Sequence, residues 1–591
     1  MNLKKTYLNC ILLGILALTG CNDHDEISTS PIDGNGEIVI MVRLPQQEKI
    51  SRTNPTGGED GDGREQGILN ENTIHDVSLF FYSGFGINNL DSDIPLTKVF
   101  VKADDISWSE EDLIFEKKII IRLDPEETDL RENGLLNSNV DVSFITVVNG
   151  GEDFSKDIKT LGDLLAYDSL GATWSQINGS SNAAECDNFV MSTAYETDKS
   201  GYIMVGSERR KVGASNLTKT EIPTSDDFKN TGWYGETTVQ RMCARVDVMY
   251  NESNLSTGAK DLKYTVSGNG GYNTVYITNI LPVNVMSQPS YLISKITSSV
   301  PTTWDDQSIN SIWGGVELTD ANQVPANYVI EPTTLLKSVS SNASQLQKWY
   351  GSTCAENVKI SIAEEENGKI GSYYYGDLSS IEYNCNKFSV ICYANENTQP
   401  MESFSSNYLT GLALRSVYVP VAIYYDYVET KDEDGNTIMH LLKMPTGDYS
   451  DLSNMHIFRY SPSSGGIVDE KNSIYFLDYR VLTNYAKDHP EDNARITPFE
   501  SCIYADEDGN KELGIRCYYN LWLRHYNDES ADPQLSYPME YAIVRNNIYR
   551  VALSFSGPGD PTPTMREPDT MQARIFVRKW NQRVENTPLE F

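Results

Sequence analysis

Beyond its first 20 residues, the sequence lacks any hydrophobic run long enough to cross a bilayer as a helix. It is also poor in basic residues, with 48 Lys and Arg against 83 Asp and Glu and a formal net charge of −35. Residues 1–52 hold five basic and six acidic residues, so the negative excess lies almost wholly in the remainder. Such a surface repels polyanions, which argues against nucleic acid and anionic membranes as partners. We therefore expect an acidic, soluble body that is tethered at most by a lipid.

Residues that commonly carry chemistry are scarce as well. The six histidines are scattered, and none has a second histidine or a cysteine at metal-ligand spacing, so no metal site is expected. No nucleophile-elbow, phosphate-loop or dinucleotide-binding motif opens a helix. Seven cysteines follow Cys21, an odd number without a Cys-x-x-Cys pair, which is not a disulfide framework. We expect most of them to be buried thiols, and we expect neither catalysis nor a cofactor.

The N-terminus has the form of a secretory signal. Lys4 and Lys5 precede an apolar run over residues 8–18, which predicts a signal peptide over residues 1–20. Cys21 directly after Leu-Thr-Gly resembles the bacterial lipobox, in which the thiol is acylated and becomes residue one. Ordinary signal cleavage nearby, with the cysteine incidental, is the alternative. The acidic residues 22–26 resemble the tract that sends some lipoproteins to the outer cell surface.

A propeptide with one good β-strand is predicted over residues 21–52. The apolar positions of this strand recur at every second residue and share one face, which is typical of a half-buried strand; they are Ile38, Ile40, Val42 and Leu44. Residues 53–64 are glycine-rich, acidic and polar, with almost nothing apolar to bury. Proteases cut in such segments because the chain does not order itself there. The pattern therefore predicts a removable strand with a cleavage site behind it.

Three arginines are candidates for that cleavage. Arg43 lies inside the predicted strand, where folding should protect it. Arg52 and Arg64 both lie in sequence predicted to be flexible. We favour cleavage between Arg52 and Thr53, because this bond follows the strand closely, with Arg64 as the alternative cleavage position. A further interpretation is that these arginines are plain linker residues.

The body of the chain reads as short β-strands separated by Asn, Gly and Ser clusters. Leu161, Leu164 and Leu165 suit one short helix, and long helical periodicity is missing. This is a β-sandwich pattern with small helical excursions. Turn-forming residues over 280–332 indicate a junction, which divides the body into an N-terminal domain (53–300) and a C-terminal domain (301–570). A last β-rich segment, 571–591, follows a Gly- and Pro-rich tether.

Two acidic loops, 432–436 and 506–510, share the sequence Asp-Glu-Asp-Gly-Asn. Carboxylate oxygens of this kind bind calcium. Neither loop continues into a complete twelve-residue calcium loop with its closing glutamate, and Asp-Gly between strands is an ordinary hairpin turn. We therefore favour turns over ion sites.

Several segments together resemble the FimA/Mfa-type fimbrillins, which are lipoprotein precursors of type V pili, and especially the larger Mfa-type major subunits. The first are the lipobox with its acidic tail and the early strand followed by an arginine. The others follow in order along the chain and extend the resemblance over nearly the whole precursor: 73–82, 241–247, 288–292, 328–332, 395–398, 522–525 and 539–549.

The resemblance implies a mainly β fold of two transthyretin-like β-sandwich domains, completed by strand exchange between subunits. It implies that the precursor reaches the outer membrane with acylated Cys21 and with its first strand filling a groove in its own sheet. An arginine-specific surface protease then cuts, the strand leaves, and the C-terminal segment of a neighbouring subunit enters the groove. The implied partners are copies of the chain in a head-to-tail filament, accessory fimbrial subunits and an unidentified host or bacterial receptor.

The donor residues predicted in the C-terminal segment are Ile575, Phe576, Val577 and Trp580. Ile575 and Val577 share a face, but Lys579 follows on it, and Phe576 and Trp580 bracket an arginine on the other face. This pattern is less regular than that of the removable strand, and which face enters the groove stays open.

Three rival roles remain at the level of sequence. A tip adhesin would need a groove but no donor tail, and an anchor subunit would keep its lipid and would not need cleavage. A surface glycan-binding lipoprotein, from a different functional class, would be a monomer and would use some of the 35 tyrosines as a sugar-stacking platform. The presence of both a cleavage candidate and a donor candidate favours a shaft subunit.

Overall fold

The computed structural model of the chain describes residues 37–44, 64–66, 74–84, 93–105, 107–108, 118–137, 140–167, 189–193, 215–223, 229–249, 263–283, 291–297, 311–313, 328–330, 388–397, 409–445, 447, 449–453, 455–464, 467–469, 471–490, 494–505, 509–525, 541–563 and 570–581.

β-Strands dominate these residues. In chain order they are β1 (Ile38–Arg43), β2 (Arg64–Gln66), β3 (Asp76–Ser83), β4 (Thr97–Lys102), β5 (Ser107–Trp108), β6 (Lys118–Leu123), β7 (Val142–Val148), β8 (Met191–Thr193), β9 (Ser215–Pro223), β10 (Lys229–Arg241), β11 (Cys243–Met249), β12 (Lys263–Gly268), β13 (Gly271–Val283), β14 (Lys295–Thr297), β15 (Ser311–Trp313), β16 (Tyr328–Ile330), β17 (Phe388–Asn395), β18 (Gly411–Val419), β19 (Ile423–Lys431), β20 (Thr437–Lys443), β21 (His456–Ser461), β22 (Ser463–Ser464), β23 (Ile467–Val468), β24 (Ile474–Phe476), β25 (Arg495–Ala505), β26 (Lys511–Trp522), β27 (Asn547–Phe555) and β28 (Met571–Asn581). The predicted mainly β fold class is confirmed.

Helices are short. They are α1 (Leu161–Leu165) and α2 (Tyr479–Asp488), with 3-10 turns at Ala103–Asp105, Asp153–Asp157 and Ser450–Leu452. In the described part of the chain, no helix is both long enough and apolar enough to cross a membrane. The short helix predicted around Leu161 is confirmed as α1.

A capping box starts α1. The Thr160 hydroxyl accepts a hydrogen bond from the Asp163 backbone N–H at 3.1 Å, and the Asp163 carboxylate accepts one from the Thr160 N–H at 2.9 Å. These bonds satisfy N–H groups that lack partners inside the helix. The backbone N–H groups of Lys159 and Thr160 both donate to the Asp163 carboxylate and lower its pKa, because they favour its charged form.

Strands from the first part of the chain form sheet 1. Its strand order is β4-β3-β7-β8-β10-β1-β6-β5, and β9 pairs with both β10 and β7. One core cluster contains Leu79 and Phe144, from β3 and β7, together with Ile40 and Ile121, from β1 and β6. Sheet 1 therefore curls, and its two halves pack against each other.

Sheets 2 and 3 form a sandwich. The order in sheet 2 is β17-β11-β27-β28-β2, and that in sheet 3 is β12-β13-β18-β26-β25-β21-β24-β19-β20. A single core cluster contains Val246 and Val551 from sheet 2 and Val275 and Ile515 from sheet 3. Side chains from the two inner faces thus make one core, as in other β-sandwiches. Two small sheets, β15-β14-β16 and β22-β23, complete the described architecture.

The chain passes from sheet 1 to sheet 2 at a single residue. β10 ends at Arg241, β11 begins at Cys243, and Met242 between them is buried. The sequence predicts a boundary near residue 300, whereas β12 and β13 already pair within sheet 3. Two strands joined without a linker leave no Gly or Pro signal, so composition does not reveal this change of sheet. We propose Met242 as the division between the two units.

A buried group of charges joins two strands of sheet 2. Asp247 of β11 accepts hydrogen bonds from Arg245, at 2.9 and 3.0 Å, and from Arg550 of β27, at 3.0 Å. All three side chains are at most 5 % exposed. Removing one partner of a buried ion pair costs about 3–5 kcal/mol, because the other charge stays buried without compensation. These residues therefore fix the register of β11 on β27, where Asp247 lies opposite Arg550.

A second buried pair lies within the C-terminal unit. Arg545 donates to Glu396 at 2.7 Å and to the backbone carbonyl of Leu292 at 3.0 Å. Leu292 shares a core cluster with Leu161 of α1 and with Ala542. The Arg545 guanidinium thus holds the segment around Leu292 in place beside the N-terminal unit.

Candidate functional site

β1 lies inside sheet 1, between two strands that come later in the chain. It pairs parallel to β10, from Ile38 opposite Trp233 to Arg43 opposite Thr238. On its other edge it pairs antiparallel to β6, from Ile38 opposite Leu123 to Arg43 opposite Lys118. Each residue of the strand therefore has a neighbour on both sides. The other strands of sheet 1 come from residues 76–241, so β1 completes a sheet built by the body of the chain.

The structure places the four predicted apolar residues of β1 and its end in the core of sheet 1. Ile38, Ile40 and Val42 are 0 % exposed and Leu44 is 1 % exposed. They share the cluster with Ile119 and Ile121 of β6 and with Trp233 of β10. Fully burying a side chain of this size contributes about 1.5–3 kcal/mol relative to exposure. Hydrophobic burial therefore supplies much of the free energy that holds β1 in place.

The opposite face of β1 is buried as well, which differs from the predicted half-buried strand. Val39 is 0 % exposed and Met41 is 4 % exposed. Val39 packs with Ile120 of β6 and with the partly buried Tyr234 of β10. The reason is visible in the sequence, because residues 38–42 are all apolar, and an uninterrupted apolar run is typical of a strand covered on both faces.

Ion pairs hold the two ends of β1 to opposite neighbours. Glu37, just before β1, accepts from Arg122 of β6 at 2.8 Å. At the other end, Arg43 pairs with Glu236 of β10, and the Tyr234 hydroxyl donates to the same Glu236 at 3.2 Å. A slip of one residue would break both pairs and exchange the two faces of the strand. The charges therefore specify register, in addition to any net stabilisation.

Gly235 of β10 allows a close approach across sheet 1. It lies opposite Ile40 in the β1–β10 pair. A Cβ atom at this position would lie 2.5 Å from Cε1 of Phe144 and 3.1 Å from Cδ1 of Ile40. Since Phe144 belongs to β7, the missing side chain lets both halves of sheet 1 pack against the β10 backbone. The space for Ile40 thus depends on a glycine.

Without β1, sheet 1 would contain a groove, which we call the β1 groove. Its sides would be the facing backbone edges of β6 and β10, and its floor would include Ile119, Ile121 and Trp233. Unpaired strand edges are templates for another strand, because main-chain hydrogen bonds provide affinity and side-chain pockets provide selectivity. A β1 groove left by removal of the strand would therefore be a candidate site for one extended peptide segment.

The structure places the predicted donor residues in β28, within the sandwich of the same chain. β28 pairs antiparallel to β27 from Asn547 opposite Lys579 to Phe555 opposite Met571. Ile575 and Val577 are 8 % and 5 % exposed and belong to the sandwich core. The side chains of Phe576 and Trp580 lie outside the described part. The predicted shared face of Ile575 and Val577 thus points into the core of their own subunit, so the segment is a docked strand here.

The cleavage and lipid-attachment candidates lie mostly outside the described residues, including Cys21, Arg52 and Thr53. Arg64 is described, and its environment differs from the predicted flexible sequence. It begins β2, which pairs parallel to the end of β28 with Arg64 opposite Lys579. Residues 64–66 contain no apolar side chain, so their pairing depends on the backbone of β28 and leaves no sequence pattern.

The described residues contain no group of three or more His, Cys, Asp or Glu arranged to hold a metal ion. The loop at 432–436 is a tight turn, as favoured from sequence: Gly435 has a φ of +82°, and the Asp432 carboxylate accepts from the Asn436 backbone N–H at 2.7 Å. Hydrogen bonds from the Asn436 side chain and backbone lower the pKa of Asp432. Of the second acidic loop, residues 506–508 lie outside the described part.

Four of the seven cysteines after Cys21 fall in the described residues, and all four are buried and form no disulfide: Cys243, Cys392, Cys502 and Cys517. Burial raises the pKa of Cys502 and of Cys517 to about 12, so their thiols stay protonated at neutral pH. Protonated, buried thiols are poor nucleophiles and poor metal ligands. Cys186, Cys354 and Cys385 lie outside the described residues.

Sequence reasoning missed Glu37, Arg122 and Glu236, which hold the ends of β1, and it missed the buried pair of Glu396 with Arg545. No local pattern indicates that Glu37 meets Arg122 or that Glu396 meets Arg545, because these partners are far apart in sequence. The pair of Asp247 and Arg245, by contrast, does leave a local signal, because two opposite charges lie two residues apart within an otherwise apolar strand. That signal predicts a buried pair on one face.

We expect Ile40→Ala to destabilise sheet 1 by about 2–5 kcal/mol, because it deletes a fully buried side chain and leaves a cavity. The matched control is Ile496→Ala on β25, where the side chain is 39 % exposed, and its effect should stay within about 0.5 kcal/mol. Urea unfolding of the full chain, followed by tryptophan fluorescence, measures both. Equal shifts for the two variants would contradict the assigned role of β1 in the core.

The C-terminal part of the chain matches a known family. Residues 514–586, which run from β26 past the end of β28, match the family described as "Major fimbrial subunit protein type IV, Fimbrillin, C-terminal". No curated protein sequence matches the chain.

Solved structures with related descriptions are similar at low identity. A fimbrilin (FimA) from Porphyromonas gingivalis W83 has a TM-score of 0.31 and 13 % identity, over 93 % of this chain and 99 % of that chain. A candidate cell adhesion protein from Bacteroides eggerthii DSM 20697 has a TM-score of 0.33 and 9 % identity, over 93 % and 98 %. A fimbrial assembly protein from Parabacteroides distasonis ATCC 8503 has a TM-score of 0.23 and 10 % identity, over 68 % and 98 %.

The resemblance to the fimbrillins is thus confirmed, and the chain carries, over residues 514–586, the C-terminal segment of that family.

Proposed function

We propose that this chain is the precursor of a structural subunit of a surface fimbrium, and that it polymerises by replacing β1 with the C-terminal strand of a neighbouring copy. The observation that carries the proposal is the place of β1, which is an inner strand of sheet 1 and yet precedes every other described strand in sequence. A single cut on the C-terminal side of β1 separates this strand from all the strands that form the β1 groove. The fimbrillin match supports a structural subunit, not an enzyme.

The same cut has a second consequence in this scheme. Acylated Cys21 tethers the precursor to the outer membrane, and an arginine-specific surface protease cuts after Arg52. Lipid, propeptide and β1 then belong to one fragment, and the body of the chain to another. Release from the membrane and opening of the β1 groove are therefore a single event. Accessory subunits of the same fimbrium would engage the first and last members of the filament.

β28 fits the groove in length and in pattern. It has 11 residues, more than the six of β1. If it runs in the direction of β1 with Ile575 in the place of Ile40, then Val577 takes the place of Val42. Arg578 then takes the place of Arg43, the residue that pairs with Glu236. The ion pair at the end of the groove is thereby restored.

The replacement buries less apolar surface than the original strand. In the same register, Arg574 takes the place of Val39 and Lys579 takes that of Leu44. A charged side chain in a buried apolar position costs free energy unless it finds a partner. β28 should therefore not displace β1 from an intact chain. Proteolysis makes exchange feasible because β1 is then no longer covalently linked to the groove and stays with its lipid in the membrane when the body of the chain leaves.

Donation requires β28 to leave β27 of its own sheet and to enter sheet 1 of the next copy. The groove lies in the N-terminal unit and the donor at the C-terminus, so the contact is head-to-tail. Heterologous contacts of this kind generate open filaments unless the rotation between subunits closes a ring. The geometry therefore supports a shaft subunit.

Filaments sheared from cells should consist of chains that begin at Thr53. On a denaturing gel, the sheared filaments should give a ladder of high-mass polymers. We expect Arg52→Ala to abolish this ladder and to leave an acylated full-length precursor in the membrane fraction. N-terminal sequencing and intact mass of the sheared material provide the measurement. Arg64→Ala is the matched control and should leave the ladder unchanged. Loss of the ladder in Arg64→Ala alone would place the cut at the alternative position, and acylated Cys21 at the start of polymerised chains would contradict the proposal.

A synthetic peptide of residues 571–581 should bind the cleaved monomer and shorten the ladder, because it occupies the β1 groove without a subunit attached. The intact precursor should not bind it, since β1 fills the groove. Isothermal titration against both forms of the chain gives the two affinities.

Two control peptides locate the donor residues. The peptide with Ile575→Lys and Val577→Lys should not bind, because ammonium groups would enter an apolar cleft. A peptide of residues 582–591 should be inactive as well. If the peptide of residues 582–591 shortens the ladder and the unmodified peptide of residues 571–581 does not, the donor assignment to β28 is wrong.

A further inference from the structure

β20 is the outermost strand of sheet 3 in the described part of the chain. One of its edges pairs with β19, from Tyr424 opposite Lys443 to Lys431 opposite Thr437. Its residues are mostly exposed, and two of the exposed ones are large and apolar. Ile438 is 39 % exposed and Met439 is 37 % exposed. An outer strand with exposed apolar side chains is a template for another chain.

Two other outer strands, β4 of sheet 1 and β12 of sheet 3, carry exposed lysines. At the end of sheet 1, β4 presents exposed Lys98 and Lys102. At the opposite end of sheet 3, β12 alternates buried with exposed residues and begins with exposed Lys263. Lysines on an outer strand hinder edge-to-edge pairing, because a partner would have to bury or repel their charge. β20 also has a single lysine, at its last position, but its exposed residues include the apolar Ile438 and Met439, whereas the exposed residues of β12 are polar.

The sequence of β20 is self-complementary in an antiparallel pair, because its apolar residues face each other. If two copies pair with His440 opposite His440, then Ile438 lies opposite Leu442 and Met439 lies opposite Leu441. Each apolar residue of one copy therefore meets an apolar residue of the other. We propose that β20 pairs antiparallel with β20 of a second copy of this chain, about a twofold axis at His440.

Charge favours a second copy as the occupant. Residues 437–443 include no acidic residue, although the chain has 83 of them. The turn before β20 carries Asp432, Glu433 and Asp434. In the proposed register Lys443 of one copy lies opposite Thr437, which follows that acidic turn in the other copy. Positive and negative groups thus meet at both ends of the pair, and like charges do not meet along it.

The pair would join two nine-stranded sheets into one continuous sheet across two copies. This contact is isologous, since the same strand serves both partners, and it uses none of the residues of the β1 groove or of β28. It therefore does not depend on strand exchange. In a fimbrium it would join filaments side by side.

Disulfide trapping in the full chain tests the pair and its register. His440→Cys places two thiols opposite each other, where Cβ atoms of facing residues are about 4.5–5.5 Å apart. Oxidation of cells that express this variant should give a disulfide-linked species of twice the mass of the chain. Ile438→Cys is the matched control, because two copies of residue 438 would lie about 13 Å apart along the strands. It should give no more dimer than the wild-type chain.

The double variant Ile438→Cys with Leu442→Cys restores facing thiols and should crosslink again. His440→Cys combined with Met439→Asp should lose the crosslink, because carboxylates would face the apolar residues of the other copy. Wild-type levels of dimer in His440→Cys, equal dimer in Ile438→Cys, or a crosslinked product of any other mass would each overturn the proposal. Circular dichroism of the exposed-site variants verifies that they remain folded.

Discussion

The pairing of β1 with β6 and β10 is the interaction on which the account of this molecule depends. The strand is paired along both edges and buried on both faces, so it contributes to sheet 1 as an inner strand would in any sandwich. Its connection to the rest of the chain is nevertheless at one end of the fold. A strand that is central in space and terminal in sequence stabilises the precursor fully and is also separable by one cut.

β1 and β28 differ in how well their side chains suit the β1 groove. β1 has an unbroken apolar run and an ion pair at each end, Glu37 with Arg122 and Arg43 with Glu236. β28 reproduces part of the apolar face and the terminal arginine, but brings additional charges. In the proposed scheme, the tightly bound β1 would keep the precursor monomeric, and the less complementary β28 of another copy would take its place only after β1 has been removed. The buried ion pairs of Asp247 with Arg550 and of Glu396 with Arg545 lie outside sheet 1, so the proposed exchange of β1 would leave them intact.

Periodicity and composition were sufficient to predict the mainly β class, the strand around Ile40 and the helix at Leu161. They were sufficient because each depends on local residues. Burial of β1 on both faces was visible in its uninterrupted apolar run but was interpreted from one face alone. The change of sheet at Met242 was not predictable, since two strands meet there without a turn residue. The pairing of Arg64 with Lys579 was equally hidden, because it joins segments from the two ends of the chain through backbone groups.

The self-complementary pattern of β20 could be interpreted only with the structure. Its sequence alone reads as an ordinary strand. Only its position at the end of sheet 3, with Ile438 and Met439 exposed, gives the pattern a meaning. Two surfaces with separate geometry, a groove for head-to-tail growth and an edge for lateral pairing, would let one chain form filaments and join them.

Amide hydrogen exchange at residues 118–123 and 233–238, the two sides of the β1 groove, tests the central claim most directly. In the intact precursor these amides should be protected. After cleavage by an arginine-specific protease they should exchange rapidly in monomers, and in the assembled filament they should be protected again. Continued protection in cleaved monomers would show that β1 stays in its sheet, and would contradict the exchange of strands as the basis of assembly.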